Sequence, residues 1–174
     1  MINWTLPETD ILEENQQWND AKNHLYQQWL EQKNDTKIAC KLGFLCWYIL
    51  VEDVSSEQQI DEAEFQKLLI EVYHYGERHF QNDAIFNWLF GYMISQFPYL
   101  FGDFKKKEEI GTEMLAKAYQ TDPDQLIFEY TFLGNSIVVN QRYKEIEKEI
   151  QAHLSQFFPG NGLLSTYFKD IWQY

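Results

Sequence analysis

Four histidines (His24, His74, His79 and His153), two cysteines and 27 acidic residues are the groups best equipped here to hold a metal or move a proton. Glu71-Val-Tyr-His74 is a Glu-x-x-His spacing, which sets a carboxylate and an imidazole on one helix face. Carboxylate-bridged di-metal sites in helical bundles use that spacing, but they need it twice, on facing helices. The second copy is missing, because Ile150 stands three positions before His153 and Ala21 three before His24. Glu71 and His74 therefore read as a solvated pair, and no metal or cofactor is expected. The serines include none in a Gly-x-Ser-x-Gly elbow. Gly160 and Gly162 lie close together, but no Lys-Ser or Lys-Thr follows them to form a phosphate loop. No catalytic constellation emerges, so the expectation is a protein that is not an enzyme. An active site assembled from residues distant in sequence would leave no local trace, and a helical enzyme stays open as a third class.

The elements that carry these residues read as helices nearly throughout. Phe65, Leu68, Leu69, Val72, Gly76 and Phe80 recur at three- and four-residue steps, with Glu64, Lys67, Glu71, His74 and Arg78 on the other side. The same periodicity predicts helices over about 13–33, 35–52, 61–80, 83–97, 104–120, 123–135, 141–157 and 163–172. Strand-type alternation is nowhere sustained. The expected fold is all-α, about eight helices stacked as antiparallel hairpins in a single domain spanning 1–174. Aromatic residues make up 17% of the chain. Most are expected to fill the space between helices, with Tyr73 and Tyr75, beside His74, as exceptions on an open face.

Two stretches suggest an internal repeat. Ile85, Phe86, Trp88 and Phe90 can be laid over Ile127, Phe128, Tyr130 and Phe132 at a period of 42 residues, each match following an amphipathic helix and a cap. Ala118, Tyr119, Asp122 and Pro123 also resemble the end of a tetratricopeptide unit, in which a helix carrying Ala and Tyr closes on an Asp-Pro turn. The resemblance covers one turn well and about 80 residues loosely, and it implies stacked helical hairpins. The Trp and Gly expected in a repeat's first helix are not in place.

Charge narrows the partners. Lys and Arg number 14 against 27 Asp and Glu, a formal net charge of −13. Binding a phosphate backbone relies on cations that displace counterions, so nucleic acid is not an expected partner. The longest apolar run, residues 43–51, is about half the roughly 20 residues of a membrane span. The first ten residues lack the basic and apolar regions of a secretory signal. Cys40 and Cys46, six positions apart in one helix, are at least roughly 9 Å from each other, too far for a disulfide. Reduced, buried thiols suit a cytoplasmic protein.

Between Glu52 and Glu64 the chain carries Glu52, Asp53, Glu57, Asp61, Glu62 and Glu64 without a Lys or Arg. Part of this is helix chemistry, since carboxylates are favoured in a first turn. The remainder forms an acidic rim able to steer a basic protein surface. A small, acidic, helical chain without a catalytic motif resembles the immunity proteins of bacterial toxin systems, including those of contact-dependent inhibition. That resemblance implies a protein-binding inhibitor that neutralises a cognate, basic toxin domain. The candidate partner-binding residues are the six acids above together with Glu71, His74 and Tyr75. The alternative is a tetratricopeptide-like adaptor or chaperone that holds a peptide or protein in its groove.

Overall fold

Four aspartates open four of the helices by accepting backbone N–H groups that would otherwise lack a partner. Asp35 accepts from Ile38 ahead of α3 (Thr36–Val51), and Asp61 from Ala63 and Glu64 ahead of α4 (Glu62–His79). Asp83 accepts from Phe86 at the start of α5 (Ala84–Gln96), and Asp103 from Lys106 at the start of α6 (Phe104–Thr121). The computed structural model describes residues 2–52, 54, 59–135 and 141–173. The remaining helices are α1 (Pro7–Glu14), α2 (Trp18–Glu31), α7 (Leu126–Gly134), α8 (Gln141–Ala152), α9 (Leu154–Phe157) and α10 (Leu163–Trp172), with a 3-10 turn at Pro98–Leu100. Every regular element among the described residues is helical.

The expected count of eight is corrected to ten α-helices among the described residues. The helix expected over 13–33 begins instead at Trp18, and α1 precedes it over Pro7–Glu14, mostly ahead of any helix expected from the sequence; Gln16, whose φ of 56° places it in the left-handed region, separates the two. The helix expected over 141–157 is broken before α9, at Ala152–His153. The helix expected to start at Pro123 begins three residues later, at Leu126.

Helices α2, α4 and α6 form one layer. Trp29 of α2 meets Tyr75 of α4 edge-on at 5.4 Å, and Lys107 of α6 donates to the Tyr73 hydroxyl of α4 at 2.9 Å. Helices α3, α5 and α7 form a second layer beneath it, with α3 against α5 and α5 against α7. The tightest crossing joins α5 to α6, where a Cβ on Gly111 would lie 2.9 Å from the Ser95 backbone nitrogen. A Cβ on Gly91 would meet the Leu115 nitrogen at 3.0 Å, so the two backbones approach each other directly.

The second layer is covered by the chain's own ends. Phe168 of α10 packs on Phe44 of α3 and on Trp88 and Tyr92 of α5, at 5.1–5.9 Å between ring centres. Trp172 stands edge-on to Tyr130 of α7, and Trp4 packs beside Trp88. Burying such rings removes a large apolar area from water, and most of the chain's aromatic residues lie in the buried core. Tyr73 belongs to this buried set, contrary to its expected place on an open face. Cys40 and Cys46 are both free and buried in α3, and burial pushes both thiols above their ordinary pKa. No helix among the described residues is long and apolar enough to cross a membrane.

A buried ion group ties the ends together. The Lys41 ammonium, on α3, lies 2.5 Å from an Asp10 carboxylate oxygen and 3.5 Å from Glu13. Asp10 also accepts the Leu6 backbone N–H, and Glu13 accepts that of Leu163 at the start of α10, at 2.7 Å. Burial raises the Glu13 carboxyl pKa, against the opposing pull of Lys41.

Candidate partner-binding face

The outer side of the α2–α4–α6 layer carries most of the candidate residues. Glu71, His74, Tyr75 and Arg78 recur at helical spacing along α4, so they share one stripe. Glu62 and Glu71 are exposed, and so is Asp61, although its carboxylate is engaged in capping. Glu52, at the end of α3, is exposed as well. Asp53 and Glu57 lie outside the described residues.

Glu64 departs from the expected acidic rim. Its carboxylate lies 2.5 Å from the ammonium of Lys22 on α2, a side chain only 4% exposed. Lys22 also stands 5.0 Å from the centre of the Phe65 ring. In sequence the acidic run is free of cations; in space α2 supplies one, so Glu64 serves as the counter-charge of a buried lysine. Glu64 and Glu71 nonetheless border one groove of about 150 Å3, with Lys22, Asn23, Tyr26, Lys67 and Leu68 completing its wall.

The His74 imidazole meets a different carboxylate from the one expected. Its Nδ1 lies 2.8 Å from Glu77, so its carboxylate partner is not Glu71. Glu77 also accepts the Tyr73 hydroxyl, which in turn accepts from Lys107. This chain of His74, Glu77, Tyr73 and Lys107 joins α4 to α6, and burial together with the carboxylate raises the Tyr73 pKa. Sequence reasoning missed it, although Tyr73 and Glu77 stand at i and i+4 on one helix face. Beside it, a second groove of about 240 Å3 has Phe86, Ile110 and Met114 in its floor and Glu77, Glu113 and Lys117 among its lining residues.

Tyr75 is half-buried, not an open anchor. Its ring stacks on His79 at 4.2 Å and meets Phe80 and Trp29, and its hydroxyl reaches Asn34 at 3.4 Å. Lys33 folds over this corner, with its ammonium 3.1 Å from the centre of the Trp29 ring.

The other histidines serve local contacts. His24 pairs with Glu8 at 3.3 Å, and His153 Nδ1 meets the Glu149 carbonyl. Among the described residues no three His, Cys, Asp or Glu side chains gather in a metal-holding arrangement. Chemically the face offers carboxylates, an imidazole and aromatic edges, a set suited to contacting cations. No protein-family model matches the chain, and neither a curated protein nor a solved structure does.

Proposed function

We propose that this chain is a protein-binding inhibitor, an immunity protein that neutralises a basic toxin domain in the bacterial cytoplasm by direct contact through the α2–α4 face. The observation that carries the reading is the row of exposed acidic residues at the start of α4 and along its flank, Asp61, Glu62, Glu64 and Glu71, of which Glu64, paired with Lys22, and Glu71 border the groove toward α2. Together with the net charge of −13, such a row attracts a cationic surface over a distance and aligns it before contact. Asp53 and Glu57 belong to the same proposed rim. The proposal is non-catalytic and calls for no cofactor.

A repeat fits this reading. Helices α4 and α6 have 18 residues each, and Ile85 and Ile127 are the second residues of the helices that follow them. Asp83 caps its helix through its side chain, whereas Gln125 does not. We read α4–α5 and α6–α7 as two units of a tetratricopeptide-like stack. The apolar floor of the α4–α6 groove favours the second reading, an adaptor that holds a peptide there.

The test is genetic and then physical. The reading expects a toxin gene beside this one. Its C-terminal domain should arrest growth when expressed alone and lose that effect when this chain is co-expressed, with a purified complex of fixed stoichiometry. Arrest that co-expression does not relieve would overturn it.

A further inference from the structure

Lys33 differs from the lysines that are buried or half-buried beside a carboxylate. Lys22 meets Glu64, Lys41 meets Asp10 and Glu13, and Lys107 lies 4.0 Å from Glu77. The Lys33 ammonium makes no hydrogen bond or ion pair among the described residues. It is held by ring faces: 3.1 Å from the Trp29 centroid and 5.3 Å from that of Tyr75. The two rings meet at 88°, forming a corner. Trp29 is fully buried with Lys33 in place, and its indole N–H has no partner among the described residues. Tyr75 is fixed by its stack on His79. Burial lowers the Lys33 pKa, while the charge of Glu71 raises it, so a carboxylate borders the corner without touching the cation.

We propose that the Trp29–Tyr75 corner is a binding site for an alkylammonium cation, a lysine side chain of the basic partner, and that Lys33 occupies it in the free protein. The inference rests on the partner-binding reading for the identity of the donor, and on the corner itself for the chemistry. Aromatic faces attract ammonium ions through the ring quadrupole, and desolvated sites do so more strongly. Lys33 is replaceable because it lies past the last residue of α2, Glu31, on a flexible four-carbon stem with no polar anchor. An incoming lysine would displace it into water, and Glu71 would border the new cation as it borders Lys33 now.

The site can be tested without the toxin. Lys33→Ala empties the corner by removing the ammonium from the Trp29 and Tyr75 rings. Titration with n-butylammonium, followed through the Trp29 indole N–H signal in nuclear magnetic resonance, should give a saturable shift in this variant. Wild-type protein should bind at least about tenfold more weakly, because its own lysine competes. Glu71→Gln in the Lys33→Ala background should weaken binding, and uncharged n-butanol should leave the signal in place. A Lys33→Ala protein that keeps its wild-type dichroism but shows no shift overturns the site, as does an equal response to n-butanol. Failure of toxin neutralisation would leave this titration unaffected, so the two proposals fail separately.

Discussion

Glu13 accepts a hydrogen bond from the backbone N–H of Leu163, a residue 150 positions further along the chain. The same carboxylate lies 3.5 Å from Lys41, so the first, third and last helices share one buried electrostatic centre. A helix N-terminus favours a negative charge, and Glu13 supplies it to α10.

Removing the cation from that centre leaves two buried carboxylates facing each other. Lys41→Met should cost about 3–5 kcal/mol at neutral pH. The loss should shrink on acidification, as the carboxylates protonate. Glu13 has a folded pKa raised above its ordinary 4.5, so the native state holds this proton more tightly than the unfolded chain does. Its stabilising contribution is present below that ordinary value and is lost as pH rises through the folded pKa. Glu13→Gln should therefore gain stability relative to wild type as pH rises across that window. Urea denaturation of all three proteins from pH 4 to 8 checks both signs.

The two acidic residues in the first turn of α4 divide into one that is structural and one that is free. Glu64→Gln should destabilise the fold by about 1–3 kcal/mol, because the Lys22 ammonium is left buried without its carboxylate. Glu62→Gln, an exposed neighbour in the same first turn, should change stability by less than about 0.5 kcal/mol. Thermal melts of the pair would separate them, and equal losses would show that Lys22 does not depend on Glu64.

Gly111 is a contact surface, not a flexible point. Gly111→Ala improves helix propensity by up to about 1 kcal/mol, yet its Cβ would meet the Ser95 backbone at 2.9 Å. Backbone cannot swing aside as a side-chain tip can. A net cost of about 1–3 kcal/mol in urea denaturation is expected.

The binding proposal makes a kinetic claim of its own. Glu62→Lys with Glu71→Lys reverses two exposed charges and leaves the Lys22–Glu64 pair intact. Association with the toxin domain should slow at low salt, and the difference should fade near physiological ionic strength, where screening acts beyond about 8 Å. Stopped-flow mixing at two salt concentrations reads this. Dissociation should change less than association.

Helix class and most helix boundaries were legible in the sequence, because they depend on interactions three or four residues apart. Asp35, Asp61, Asp83 and Asp103 each precede an amphipathic or apolar segment, and each is a cap in the structure. The break at Gln16 was not legible. Neither Gly nor Pro marks it, and the left-handed turn there accompanies the docking of Asp10 and Glu13 on Lys41. The acidic stretch was visible as composition, but its meaning changed when α2 brought Lys22 to Glu64. His74 and Glu71 shared a face as the spacing required, yet Glu77 took the imidazole. Tyr75 became one wall of a corner only because Trp29 arrives from another helix. Capping and periodicity are local free energies, and a linear sequence displays them directly. Which faces meet depends on the fit of ring shapes and charges far apart in the chain, and only the packed tertiary structure decides it.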